Sequence, residues 1–81
     1  MIVGRYYYKK GVPFDKQIRD GVAHYRDLVG SCPNLAHVSP KRISESKIID
    51  VGGCSVFVVP DFRMSEDVMW IGVGAAVWNE G

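Results

Sequence analysis

Residues 47–60 have the sequence KIIDVGGCSVFVVP, in which two apolar, β-branched segments flank a pair of glycines. Such segments are typical of buried strands. Gly52 and Gly53 both adopt positive φ readily, which a two-residue turn between antiparallel strands requires. We therefore predict a hairpin with strands at 47–51 and 54–59. One long strand with a bulge is the alternative.

An amphipathic helix is predicted over residues 14–29. Apolar residues recur there at intervals of three or four, whereas Arg19, Arg26 and other charged residues fall on the opposite side. The apolar stripe consists of Phe14, Ile18, Val22, Tyr25 and Val29, and Leu28 widens it. Gly30 suits the left-handed position that ends many helices. Gly21, inside the helix, indicates the close approach of another backbone.

The residues before the stripe allow two helix starts. Asp15 can act as the N-cap. Alternatively, Pro13 occupies the first helical position and Asp15 lies in the first turn, where a carboxylate is favourable to the helix dipole. Both alternatives begin the helix just before its apolar stripe.

Three further segments predict strands. Residues 2–9 contain three consecutive tyrosines, which favour a pleated, half-buried surface. Residues 35–39 form a short strand that ends before Pro40, and residues 68–73 form a last strand that carries Trp70. The order of elements predicts an α+β fold, with one amphipathic helix packed on a mostly antiparallel sheet of four to five strands. One helix covers one face of a sheet, so the other face should hold exposed apolar side chains.

The composition is that of one small globular domain spanning residues 1–81. The chain has 81 residues, of which 47% are hydrophobic and 23% charged. The net charge of +1 gives no reason to expect a polyanionic partner, although residues up to Lys47 include nine basic and four acidic side chains. No apolar run reaches the roughly 18 residues of a membrane span, and residues 1–10 lack the pattern of a secretory signal. We predict a cytoplasmic protein that does not associate with membranes.

Two cysteines and two histidines raise the question of a metal site. His24, Cys32, His37 and Cys54 are separated by seven, four and sixteen residues, which matches no tight ligand pattern. We predict that no metal is bound. Because cytoplasmic thiols are normally reduced, we also predict that both cysteines are unpaired, Cys54 in the core and Cys32 in a loop.

No catalytic residue and no cofactor are predicted. A nucleophilic Cys32 with His37 or His24 as base, oriented by Asp20, would follow a helix C-terminus, where the dipole opposes a thiolate. The glycine-rich residues 72–77 lack the third glycine and the following helix of a dinucleotide-binding fingerprint. A small enzyme or enzyme subunit is therefore the third hypothesis for function.

Nucleic-acid binding is the second hypothesis. Basic and aromatic residues are interleaved in the first predicted strand, as in a stacking platform for single strands. The candidate phosphate contacts are Arg5, Lys9, Lys10, Lys41 and Arg42. Strand alternation places Tyr6 and Tyr8 on one face and Tyr7 on the other, and the near-neutral net charge makes such binding weak and dependent on salt.

The first hypothesis is a non-catalytic interaction or assembly module that self-associates as a homodimer, with an unidentified protein as another partner. It follows from the high apolar content, from the uncovered sheet face or edge, and from the lack of a convergent polar site in the sequence. In the strand 54–59, Val56 and Val58 point to one side while Phe57 and Val59 point to the other. The candidate interface residues are Phe57, Val59, Trp70 and Trp78.

Residues 25–40 carry a pattern of helix end, turn and strand. The residues of this pattern are Tyr25, Leu28, Gly30, Pro33, Asn34, Val38 and Pro40, with Gly53 and the run WIGV at 70–73 further on. The pattern resembles one in a family of small bacterial and phage-type proteins, a domain of unknown function. The resemblance implies a structural unit without an attached activity, and it carries over no catalytic or binding residue.

Overall fold

Residues 3–74 are the part of the chain that this computed structural model describes, and they form a mixed β-sheet with one helix across it. In chain order, the elements are β1 (Val3–Tyr8), α1 (Phe14–Val29), β2 (Leu35–Val38), β3 (Lys47–Val51), β4 (Cys54–Pro60) and β5 (Val68–Val73). The predicted α+β class, with one helix on a mostly antiparallel sheet, is confirmed.

The five strands lie in the order β1-β5-β2-β4-β3. Neighbouring strands run antiparallel except for β2 and β4, which are parallel. Strands β2 and β4 are separated in sequence by β3, so the chain crosses over to place them side by side. This parallel pair brings the end of β2 next to the end of β4, and the residues that follow β4 therefore lie beside β2.

The predicted hairpin is confirmed, and the bulged-strand alternative is wrong. Gly52 and Gly53 have φ values of 58° and 80°, and Val51 pairs with Cys54 across the turn. Both glycines thus adopt the positive φ that side chains disfavour.

The helix has the predicted bounds and buries the centre of the predicted stripe. Ile18, Val22 and Tyr25 are 3%, 1% and 0% exposed. Its end differs from the prediction, because Leu28 and Val29 are exposed. At 3.6 residues per turn, Leu28 projects roughly 80° away from the centre of the stripe.

The two ends of α1 are held by backbone geometry. Pro13 is the N-cap in an extended conformation, so the prediction of Asp15 as N-cap is wrong, and the first helical residue is Phe14, not Pro13 as in the alternative. Asp15 lies in the first turn, as that alternative predicted. Gly30 ends the helix with a φ of 88°, as predicted, and its N–H donates to the carbonyl of Arg26 at 2.8 Å. A Cβ on Gly21 would lie 2.8 Å from the Met69 sulfur, which confirms the predicted close approach of α1 to the sheet.

A disulfide joins Cys32 to Cys54, so the prediction of two unpaired cysteines is wrong. It links the loop after α1 to the first residue of β4, with the two Cα atoms 5.7 Å apart. The guanidinium of Arg26 reinforces this junction by donating to the carbonyl of Gly52 at 2.6 Å. Because both sulfurs are consumed, Cys32 offers no thiolate for the nucleophile hypothesis. The 22-residue separation of the cysteines concealed their proximity.

Two unlike faces result from the packing of α1. The face under the helix is the core, with Ala36, Val56, Val58, Met69 and Ile71 fully buried. Residues that pair directly across neighbouring strands have their side chains on the same face of the sheet. The register therefore identifies the residues on the surface opposite α1, which we call the open face. It consists of Tyr6, Tyr8, Leu35, His37, Ile48, Phe57, Val59, Val68 and Trp70. Within residues 3–74, no helix has both the length and the apolar character needed to cross a membrane.

Candidate functional site

The open face concentrates exposed aromatic and aliphatic side chains. Tyr6, Tyr8, Ile48 and Phe57 are 67%, 62%, 68% and 40% exposed. Alternation along each strand explains this arrangement, because every second side chain turns away from α1. The surface is therefore apolar without being covered by α1.

Three of the four predicted interface residues lie together on this surface. Val59 pairs with His37, which pairs with Trp70 on its other side, and Phe57 lies two residues before Val59. Their role at an interface stays a prediction. The fourth residue, Trp78, lies outside the described residues.

Trp70 is positioned by the absence of a side chain on the neighbouring strand. A Cβ on Gly4 would fall inside the indole ring, so Trp70 lies directly over the backbone of β1. The His37 ring meets the indole edge-on, with centroids 5.3 Å apart and the planes at 77°. These contacts hold the indole against β1 and His37, where it lines a cavity.

A polar cluster of His37, Asp61 and Arg63 interrupts the apolar surface. The carboxylate of Asp61 is only 5% exposed, and the Asp61 N–H donates to the carbonyl of Val38 at 2.7 Å. Asp61 Oδ1 accepts from the Nε and the backbone N–H of Arg63, at 3.0 and 2.9 Å. Asp61 Oδ2 accepts from Nη2 of Arg63 at 2.9 Å and from Nδ1 of His37 at 2.8 Å.

The contacts within the cluster favour the ionised forms of Asp61 and Arg63. The side-chain hydrogen bond from Arg63, assisted by the one from His37, holds the pKa of Asp61 well below its usual range, although burial opposes this shift. The same hydrogen bond to Asp61 raises the pKa of Arg63. Because Asp61 is a carboxylate, the hydrogen that joins it to His37 belongs to Nδ1.

Two adjoining cavities lie on either side of this cluster. The first, of about 550 Å³, is bounded by Tyr6, Trp70 and Arg63, with Leu35 and Val68 contributing apolar lining. The second, of about 700 Å³, extends toward Phe57, Val59 and Phe62. Both have the size and the mainly apolar lining of ligand pockets.

Sequence reasoning missed this cluster. Residues 61–67 have the composition of a charged loop, and His37 was considered as a metal ligand and as a base for Cys32. The signal that could have identified the cluster is the parallel pairing of β2 with β4, which places Asp61 beside β2. Strand order was not predicted from the sequence, so the 24-residue separation of His37 and Asp61 hid their contact.

The basic residues predicted as phosphate contacts are only partly brought together. Arg42 donates to the carbonyls of Glu66 and Val12 at 3.0 and 2.9 Å, so its guanidinium ties two loops together. This link joins the loop that contains Lys41 to the segment that follows Lys9 and Lys10. Arg5 pairs with Ile71 and therefore projects from the opposite face to Tyr6.

The acidic residues at the same end weaken any basic patch. Gly11 donates its N–H to the Asp67 carboxylate at 3.1 Å, and the Lys9 N–H donates to the Asp67 carbonyl at 2.9 Å. The carboxylate of Asp67 thus lies beside the lysines of this turn and reduces the local positive potential.

Comparisons with known proteins leave the site to be interpreted from its own geometry. Neither protein families, nor curated proteins, nor solved structures provide a match to this chain. The resemblance of residues 25–40 to small bacterial and phage-type proteins stays a prediction. Among residues 3–74, no three His, Cys, Asp or Glu side chains are grouped so that they could hold a metal ion.

Proposed function

We propose that this protein is a non-catalytic interaction module that self-associates as a two-fold dimer through its open face. The observation that carries the proposal is the exposure of Tyr6, Tyr8, Ile48 and Phe57 on one continuous side of the sheet. Soluble monomers rarely expose contiguous apolar patches larger than a few hundred Å². Burial against another surface would remove this area from water.

The make-up of the open face resembles the core of a protein interface. Such cores are rich in aromatic residues and depleted of charge, and here the charged cluster of Asp61 and Arg63 is internally paired. A standard interface buries about 800 Å² per subunit, roughly one sixth of the 4980 Å² surface of this chain. The open face of a five-stranded sheet is large enough to supply that area.

A second copy is the occupant that these features favour. A two-fold axis packs an apolar face against the same apolar face, so no complementary partner is required. The net charge of +1 means that two copies repel each other little. The free edges of β1 and β3 are the alternative contact surface, but their backbone pairing would leave the open face exposed.

The experiment is gel filtration with light scattering over a concentration series. We expect a mass of twice 9.0 kDa for the wild type at high micromolar concentration. Tyr6→Lys and Ile48→Lys should shift the mass to that of the monomer, because a lysine on the open face would lose hydration in the contact. Leu28→Lys is the matched control, since Leu28 is 55% exposed on α1, across the sheet from the open face.

A wild-type mass that stays at 9.0 kDa over the whole concentration range would contradict self-association. Equal dissociation by Leu28→Lys would show that the open face is not the contact surface.

Single-strand nucleic-acid binding is the second candidate function. Tyr6 and Tyr8 lie on one face beside Trp70 and Val68, an arrangement on which successive bases could stack. With Arg42 engaged in loop contacts, the phosphate contacts would be Lys9, Lys10 and Lys41. We expect binding of a labelled oligothymidylate to be weak and to decline steeply with salt. No binding at low salt would eliminate this candidate.

We also propose that the protein resides in an oxidising compartment. A cytoplasmic location was predicted because the sequence has no membrane span and residues 1–10 lack the pattern of a secretory signal. The unpaired cysteines were then predicted from that location. The disulfide between Cys32 and Cys54 supports an oxidising compartment instead, since disulfides persist there and are rare in the cytosol.

A further inference from the structure

We propose that the cavity bounded by Tyr6, Trp70 and Arg63, which we call the aromatic cavity, binds a small aromatic carboxylate. This inference does not depend on self-association. It rests on the hydrogen-bond geometry of Arg63 and on the side chains that line the cavity.

Within residues 3–74, one edge of the Arg63 guanidinium group has no hydrogen-bond partner. Asp61 accepts hydrogen bonds from Nε at 3.0 Å and from Nη2 at 2.9 Å, which occupies the inner edge of the group. A guanidinium carries five N–H donors, so Nη1 and the second hydrogen of Nη2 form an outer fork. This fork matches the two oxygens of a planar carboxylate.

Asp61 fixes the direction of the fork. The pair is anchored at its acidic end, because the Asp61 side chain is 5% exposed whereas that of Arg63 is 72% exposed. The ion pair is therefore a dipole whose positive end faces the solvent and the cavity. An anion is attracted to that end, and the preset orientation lowers the entropic cost of binding it.

Asp61 offers little to a cationic ligand. Its two oxygens already accept three hydrogen bonds from Arg63 and one from His37. A cation would have to displace one of these donors, whereas an anion uses donors that Asp61 leaves unoccupied. The charge complementarity of the cavity thus favours a carboxylate.

The walls of the aromatic cavity favour a ring as the body of the ligand. Trp70 lies over Gly4, and Tyr6 is its cross-strand neighbour, so two aromatic side chains flank the cavity. Leu35 and Val68 add apolar surface. Aromatic groups gain from stacking and edge contacts with such walls. A ring with a short acidic arm would place its carboxylate at the fork.

The test is a ¹H–¹⁵N NMR titration with phenylacetate at a protein concentration at which the chain is monomeric by light scattering. We expect saturable shifts at the Trp70 indole N–H and around Arg63, with a Kd on the order of millimolar for so small a ligand. Phenylacetamide, which has the same shape without the charge, should bind at least about tenfold more weakly because it loses the charge-assisted hydrogen bonds.

Variants separate the fork from the remainder of the site. Arg63→Gln and Arg63→Lys should each weaken phenylacetate binding by about tenfold, since lysine keeps the charge but not the fork. Arg19→Gln, on the exposed side of α1, should leave binding unchanged. Equal affinity for phenylacetate and phenylacetamide, or unchanged binding by Arg63→Gln, would overturn the proposal.

The comparison of phenylacetate with phenylacetamide uses the wild-type protein, so the proposal can still be tested if an Arg63 variant fails to fold.

A tetrapeptide that ends in phenylalanine with a free carboxylate is the last ligand to be tested. If it binds more than about tenfold tighter than phenylacetate, the additional contacts of a peptide chain account for the difference. That result would assign the site to a chain terminus and overturn the small-molecule proposal.

Discussion

Asp61 connects the sheet to the polar cluster of the open face. Its N–H continues the pairing of β2 by donating to Val38, while its carboxylate accepts from His37 and Arg63. One residue thus positions the His37 ring and the Arg63 guanidinium beside Trp70. The orientation of the cluster therefore depends on Asp61 being ionised.

The first prediction concerns pH. Because the folded state lowers the pKa of Asp61 below that of an unfolded aspartate, about 3.9, the unfolded state binds the proton more readily. The stabilisation by the Asp61 carboxylate is present above the unfolded pKa of about 3.9. It is lost as the pH falls from there toward the lower pKa of the folded state. Asp61→Asn should lower the free energy of unfolding by roughly 1–3 kcal/mol near neutral pH, and this difference from the wild type should shrink in acid. Denaturant unfolding across the pH range measures it.

Asp27→Asn, at an exposed position on α1, is the matched control, because it changes the formal charge equally. A difference between the wild type and Asp61→Asn that stays constant from neutral to acidic pH would contradict the proposed role of the carboxylate.

The second prediction concerns neighbouring residues on α1. Ile18 is 3% exposed and packs against the sheet, whereas Arg19 is exposed. Ile18→Ala should lower the free energy of unfolding by roughly 2–4 kcal/mol, and Arg19→Ala by less than about 0.5 kcal/mol. Thermal denaturation compares the two, and equal melting shifts would mean that the buried stripe is misassigned.

At the scale of elements, the end of α1 is joined to the β3–β4 hairpin by covalent and polar links. The disulfide connects Cys32 to Cys54, and Arg26 donates to the carbonyl of Gly52 in the turn. Leu28 is exposed at this end of the helix, so apolar packing contributes less there than at Ile18. The disulfide therefore ties the exposed end of α1 to Cys54, which is itself buried in the core.

The third prediction follows from this junction. Replacing both cysteines, as Cys32→Ser with Cys54→Ser, should lower the free energy of unfolding by roughly 2–4 kcal/mol. Thiol titration of the oxidised, denatured protein should find no reactive thiol, and titration after reduction should find two per chain. Ser31→Ala, next to Cys32, is the control. Two reactive thiols before reduction in protein purified without reductant would contradict the disulfide.

At the scale of the whole molecule, one side of the sheet is buried under α1 and the other is the open face. Strand β5 lies between β1 and β2, with Met69 and Ile71 under α1 and Val68 and Trp70 on the open face. The one helix of residues 3–74 packs on a single side of the sheet. The proposed dimer and the proposed ligand would occupy the same surface, so an aromatic carboxylate should compete with self-association.

Local pattern determined much of this architecture. The spacing of Ile18, Val22 and Tyr25 predicted α1 and its buried side, because helical periodicity is a property of neighbouring residues. Gly52 and Gly53 predicted the hairpin for the same reason, since a turn is specified by its own residues. Alternation along β4 also placed Phe57 and Val59 on one face without knowledge of strand order.

Only the tertiary structure decided which distant segments meet. The contacts between His37 and Asp61 and between Cys32 and Cys54 span 24 and 22 residues, and both depend on the placement of β4 beside its neighbours. Strand order arises from the packing of whole elements around one core, to which many long-range contacts contribute together. The sequence by itself therefore determined the elements and their apolar sides, whereas the polar cluster, the disulfide and the aromatic cavity exist because folding brings separate elements together.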